Sequence, residues 1–197
     1  MALLDRDDLI EALRDLVAEL RAAGEPVGLR IVGGAALALR HYERSSTADV
    51  DALHVRPGAD AAVAEAADRV GIRRGWERGW LNFAVTATGG EPLLGRTPTW
   101  ETIHDDGLIV IQIAGAETLL AMKLRANRPG RDTDDIRQLL ALCDIRTIED
   151  ADAFFTDFYP GDSLSERAWI IVSAILEQGP LVTPTALGPI DLSTSDR

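Results

Sequence analysis

The stretch Ile31 to Leu53, IVGGAALALRHYERSSTADVDAL, limits the folds open to this chain more than any other. An apolar run (Leu29, Ile31, Val32) halts at Gly33-Gly34, and an alanine- and leucine-rich segment suited to a helix follows. Asp49-Val50-Asp51 then opens a second apolar run. The order is strand, glycine turn, helix, and a strand carrying two carboxylates one residue apart. Successive strand side chains point to opposite faces, so Asp49 and Asp51 share a face while Val50 points the other way. Two such carboxylates repel unless a cation sits between them, and hard oxygen ligands suit Mg²⁺. A two-glycine turn before a helix lets backbone N–H groups come close to an anion. Phosphate at one end and a metal at the other describe a site for a nucleoside triphosphate. Each element also has a plainer reading, since glycine pairs turn chains and aspartates at strand ends face water. Their combination at this spacing favours the site.

Other stretches fill in the architecture. Residues 7–23 carry Leu9, Leu13, Leu16, Val17 and Leu20 on one helical stripe, with Asp7 and Asp8 at the end the helix dipole favours. A strand is expected near 28–32, a helix near 34–42 and a strand near 49–55. Pro57-Gly58 reads as a turn, and 59–70 as an alanine-rich surface helix. Leu108 to Ile113 is a continuous apolar run, which predicts a central strand buried on both faces. Helices follow near 115–126, 132–142, 148–158 and 164–178, the last announced by a capping box at Ser163–Glu166. The apolar residues of that last helix cover more than one face, which predicts burial against its own domain or a partner. The fold class is α/β (α+β), a short mixed sheet flanked by helices. The expected division is 1–145 for the main domain, 146–179 for a C-terminal helical segment and 180–197 for a loose, proline-bearing tail.

Composition excludes several classes. At 197 residues with 46% hydrophobic content, an ordinary packed core is expected. No stretch is apolar enough to span a bilayer, and the acidic start MALLDRDDLIEALRD lacks the basic opening of a signal peptide. The lone Cys143 fits a reducing, cytoplasmic setting and a small buried side chain. A net charge of −12 argues against gripping nucleic acid by charge alone. Arginine clusters at Arg73, Arg74 and Arg78 and at Arg125, Arg128 and Arg131 fit either local anion sites or charges balancing nearby acids.

The Gly-Gly turn, helix and Asp-x-Asp resemble the signature of the polymerase-beta-type nucleotidyltransferase fold in its minimal form. More closely, the chain resembles the AbiEii-like nucleotidyltransferases of type IV toxin–antitoxin and abortive-infection systems. The matching positions are Gly33, Gly34, Ala36, Arg44, Thr47, Asp49, Val50 and Asp51. A later stretch, LLAMKLRANRPGRDTDDIRQLL, matches at Lys123, Arg131, Asp132 and Asp135. Trp80-Leu81-Asn82 is similar to an element of some of these proteins, and its tryptophan suits either the core or a base.

The resemblance implies transfer of a nucleotide from an NTP to an acceptor hydroxyl on RNA, such as tRNA, or on protein, with a cognate toxin or antitoxin partner. Mg²⁺ or Mn²⁺ would be held by Asp49 and Asp51. Lys123 would act with them in catalysis, and Gly33, Gly34, Arg44, Thr47, Arg131, Asp132 and Asp135 would bind nucleotide. Plainer roles stand beside these: Lys123 can lay its stem on the core, and Asp132 and Asp135 suit a helix N-terminus. Two departures matter. Arg44 precedes Thr47 by three residues where the family often has two, and no acid lies within 107–116, where the wider fold places a third carboxylate. Asp105, Asp106 and Glu117 flank that gap as substitutes. Two alternatives follow: a catalytically degenerate nucleotide- or protein-binding module, or an enzyme modifying a cationic small molecule such as an antibiotic.

Overall fold

The computed structural model describes residues 3–44, 46–55, 60–87 and 90–193. The turn expected at Pro57-Gly58 lies outside the described residues. The chain forms two compact units. One comprises Met1–Ala87, Trp100–Ile113 and Ala186–Arg197; the other comprises Thr88–Thr99 and Ala114–Thr185. The division expected at residue 145 therefore runs through the second unit.

The first unit is built on a mixed five-stranded sheet. Its strands are β1 (Val27–Ile31), β2 (Val50–His54), β3 (Leu81–Asn82), β4 (Trp100–Asp105) and β5 (Ile109–Ala114), in the order β3-β2-β1-β5-β4. β1 pairs antiparallel with β2 and parallel with β5, and β2 pairs parallel with β3. The central strand is thus β1. The apolar run at β5 lies one place from the edge, and its burial alternates: Ile109, Ile111 and Ile113 are fully buried while Val110 and Gln112 are half-buried. A run of β-branched residues does not by itself tell a strand covered on two faces from one covered on one. The neighbouring edge strand β4 has no apolar run to announce it, because polar Glu101, Thr102 and Asp105 are exposed in it.

Helix α1 (Arg6–Ala23) opens with Asp5, whose carboxylate accepts from Asp8 N–H while Asp8 reaches back to Asp5 N–H. Gly24, at φ +74°, closes it in the left-handed conformation. Its stripe Leu9, Leu13, Leu16, Val17 and Leu20 is fully buried, and α1 packs along α3 (Asp60–Arg74). The glycine turn leads into α2 (Gly33–Ala36), which continues as a π-helical turn over Leu37–His41. A short α4 (Ala84–Ala87) packs against β2. The segment expected as a loose tail has no helix or strand over 186–193, yet Leu192 is buried. Guanidinium groups of Arg6, Arg40 and Arg14 donate to the carbonyls of Gly188, Leu187 and Asp191.

The second unit is helical, with α5 (Ala116–Ala126), α6 (Thr133–Leu142), α7 (Ile148–Phe158) and α8 (Glu166–Glu177) packed together. Ser165, not Ser163, caps α8 by accepting from Ala168 N–H at 3.2 Å. The box expected at Ser163 does not form: α8 starts at Glu166, and Leu164 N–H, ahead of the helix, donates to Asp152 at 2.8 Å. α8 buries Ala168, Val172 and Ile175 but leaves Trp169 and Ile170 exposed, so its apolar surface is not wholly covered.

Candidate functional site

At the end of β1 the sheet sends out two segments side by side. Val32 N–H donates to the Asp51 carbonyl at 2.9 Å, so the glycine turn leaves the sheet next to the acidic strand. Gly33 sits at φ +65°, a conformation that L side chains rarely adopt. A Cβ added there would lie 2.9 Å from Asp51 Oδ2. One added at Gly34 would lie 2.8 Å from Thr47 Oγ1 and 3.2 Å from Arg44 Nη1. The two absent Cβ atoms are what let a carboxylate, a hydroxyl and a guanidinium close over this turn.

Asp49 and Asp51 fall on one face, as strand alternation requires. Val50 between them is fully buried, whereas both aspartates are half-buried. Asn82 ties them together: it pairs with Asp51 in the β2–β3 register, and its Nδ2 lies 3.5 Å from Asp49 Oδ2. The loop before the strand is fixed by Thr47, whose backbone exchanges bonds with Leu4 at 2.7 and 2.9 Å. Thr47 Oγ1 donates to the Asp49 carbonyl at 3.1 Å, and Arg44 Nη1 donates to the Ser46 carbonyl. Gly33, Gly34, Arg44, Thr47, Asp49 and Asp51 are therefore brought together within the first unit.

Trp80, by contrast, is core. It is 4% exposed and donates its indole N–H to the Ala67 carbonyl at 2.7 Å. The flanking acids that could replace a third carboxylate are engaged elsewhere. Asp106 accepts from Ile109 and Leu108 N–H and from Arg21, and these bonds hold its carboxyl well below the usual range. Asp105 accepts from Gly107 N–H, and in the second unit Glu117 pairs with Arg96. Among the described residues no three acid, histidine or cysteine side chains gather as a metal site.

The second matched stretch lies in the second unit. Lys123 is 5% exposed, and its ammonium donates to Asp132 Oδ1 at 2.6 Å and to Asp135 Oδ2 at 2.7 Å. Arg128 completes the cluster, reaching Asp132 through its backbone N–H at 3.0 Å and its Nε at 2.9 Å. Burial pushes the Asp132 carboxyl up, but the bonds from Arg128 and Lys123 outweigh it and hold it at about 2. These carboxylates, rather than a phosphate, are the partners the structure gives Lys123. Arg131 is exposed at the turn before α6. Cys143 is half-buried, and burial and the nearby Glu117 push its thiol up to about 12, which leaves it protonated and unsuited to nucleophilic work. The arginine clusters largely balance local acids: Arg73 pairs with Glu19, Arg74 with Asp15 and Glu11, and Arg125 with Asp162.

Sequence reasoning did not single out Asn82, Arg30 or Gln112 as site residues. Arg30 Nε donates to Gln112 Oε1 at 3.1 Å, Gln112 Nε2 to Thr102 Oγ1 at 3.2 Å, and the Arg30 guanidinium lies 4.4 Å over the Trp100 ring. The signals available were the Trp80-Leu81-Asn82 element and an arginine within the first strand, where a buried run would exclude it. Comparison with models of protein families, with curated proteins and with solved structures finds no match to this chain.

Proposed function

We propose that this chain is a metal-dependent nucleotidyltransferase, moving a nucleotide from an NTP to an acceptor hydroxyl. The observation that carries the reading is the seating of Asp51 against Gly33, with Asp49 on the same face and Thr47 and Arg44 against Gly34. Mg²⁺ or Mn²⁺ is the expected cofactor. Two carboxylates suit such an ion, because it binds through one or two carboxylates and completes its shell with phosphate and water. When bound, it would neutralise charge on the triphosphate.

The chain's own residues do the rest. Asp49 and Asp51 hold the ion beside the turn, and Gly33 and Gly34, lacking Cβ atoms, admit phosphate oxygens to the backbone. Arg44 offers a guanidinium to the same oxygens. Thr47 fixes the backbone at Asp49, and Asn82 keeps the carboxylate pair aligned. The sequence resemblance adds a toxin-like role with RNA or protein as acceptor and a cognate partner protein. The contributions of Lys123, Arg131, Asp132 and Asp135 rest on that resemblance.

A second reading is a nucleotide-binding module that no longer transfers. It is favoured by the place on β5 where a third carboxylate could stand beside this face: Gln112 occupies it, and the flanking acids are engaged. The deciding measurement is transfer of label from α-labelled NTPs onto total RNA, protein lysate and aminoglycosides, with the Asp49→Asn/Asp51→Asn variant as control. We expect transfer that falls at least about 100-fold in the variant, the scale of losing preorganised charge at a reacting phosphate. Metal-dependent NTP binding without transfer selects the second reading, and transfer unchanged in the variant removes the first.

A further inference from the structure

We infer that Arg30, braced by Trp100 and Gln112, is an anion subsite on the acceptor side of the proposed centre, shaped for a phosphodiester of a nucleic-acid acceptor. This rests on the nucleotidyltransferase reading and extends it to what the acceptor carries.

The placement follows from register. Arg30 stands opposite Leu53 on β2, and Val32 opposite Asp51, so Arg30 shares a face with Asp51. Along β1 the order is Arg30, the level of Asp51, then Gly33-Gly34. Arg30 thus lies on the side of Asp51 away from the phosphate-cradling turn. Arg30 also leans away from β2, over Gln112 on β5 to Trp100 on β4. With strands about 4.8 Å apart, its guanidinium stands roughly 10 Å from Asp51, too far for a direct pair.

Its bonding state marks it out. The chain carries 32 acids against 20 lysines and arginines, so pairing is the ordinary fate of a guanidinium here. In the first unit Arg21, Arg40, Arg69, Arg73 and Arg74 meet carboxylates within 3.2 Å, and Arg6 and Arg14 meet carbonyls. Arg30 meets no carboxylate and no backbone carbonyl among the described residues. Its Nε donates to an amide oxygen, and among the described residues its two Nη groups have no hydrogen-bond partner, on a residue that is half-buried. The Trp100 ring beneath the guanidinium and the Gln112–Thr102 chain beside it hold its plane. A fixed guanidinium with both Nη groups open matches two oxygens of a phosphate. The same fork repels a cationic acceptor, which sets this face against an aminoglycoside.

The test is fluorescence anisotropy with a short, end-labelled single-stranded oligouridine RNA, alongside Mg²⁺–NTP titration. Both are run on the full chain and its Arg30→Gln, Arg30→Lys and Asp49→Asn/Asp51→Asn variants. Arg30→Gln is expected to weaken RNA binding about ten-fold and to lower the slope against log salt by about one. Arg30→Lys should recover part of the affinity, and NTP affinity should be unchanged. RNA affinity and slope unmoved by Arg30→Gln, or no RNA binding by the parent chain, overturns the subsite. Equal loss of NTP affinity assigns Arg30 to the triphosphate and overturns it too. The Asp49→Asn/Asp51→Asn variant separates the two readings: adding Arg30→Gln to it should still weaken RNA binding, while transfer fails. Transfer that survives in it defeats the enzyme reading, with the Arg30 result still standing as measured.

Discussion

Two hydrogen atoms, where other residues carry a Cβ, set the geometry of the proposed centre. Gly33 is held at positive φ, and its missing Cβ leaves the space against which Asp51 rests. Alanine there meets two penalties at once: a left-handed backbone costs roughly 1–2 kcal/mol, and the Asp51 carboxylate must move. Gly33→Ala should therefore lower unfolding free energy by about that amount in urea titration while abolishing metal-dependent NTP binding. A variant that keeps full nucleotide affinity would detach the turn from the site. Much at this scale was legible in advance. Asp49, Val50 and Asp51 alternate as the two-residue strand period demands, and the glycines sit where a tight turn needs them. Arg30 was not legible, and Asn82 only as part of Trp80-Leu81-Asn82, because their placement comes from register partners that no local pattern encodes.

Helices α5 and α6 are joined by charge as well as by apolar packing. Lys123 in α5 is held by Asp132 at the N-cap of α6 and by Asp135 one turn on, and all three are nearly or fully buried. Removing one member leaves a charge without its partner, at a cost of about 3–5 kcal/mol. Lys123→Met should lower stability by that order, read as a shift of the urea midpoint. The pH dependence has a definite sign. Asp132 sits at about 2 in the folded chain against 3.8 for the free group, so its contribution is complete above the higher value. It is lost as pH falls through the lower one. Acid titration by near-ultraviolet circular dichroism should show loss of tertiary signal between about pH 4 and pH 2, at higher pH in Lys123→Met. The elements themselves were well marked: the Leu stripe of α1, the acids opening α6 and the apolar face of α7 all read as helices. The sheet order was less so, because continuous apolar character made β5 look central. β4 was silent for the opposite reason, its polar side chains being those of an exposed edge.

The sequence is threaded through its two units more than once, and contiguous stretches of chain are a poor guide to where they divide. Residue 145 follows a helix end and looked like a boundary; the helices on both sides of it pack together. The stretch from 180 onward read as loose, since it carries proline, serine and threonine without periodicity; residues 186–193 are nonetheless held to the first unit. Its attachment comes from one buried leucine and three distant arginines. Deleting residues from 186 onward should lower the midpoint of thermal unfolding by several degrees, given about 2–4 kcal/mol for burial of a side chain like Leu192 alone. Leu192→Ala should reproduce much of that loss, and an unchanged midpoint in both would mean the segment only lies on the surface.

That late-arriving strap carries a consequence for the order of assembly. As the polypeptide emerges from a ribosome, every residue of the helical unit is already out before the sheet-bearing unit receives the piece that closes it. The carboxylate-bearing unit then gains its contacts to Leu192 and to the carbonyls of 187–191 only after the helical unit has emerged.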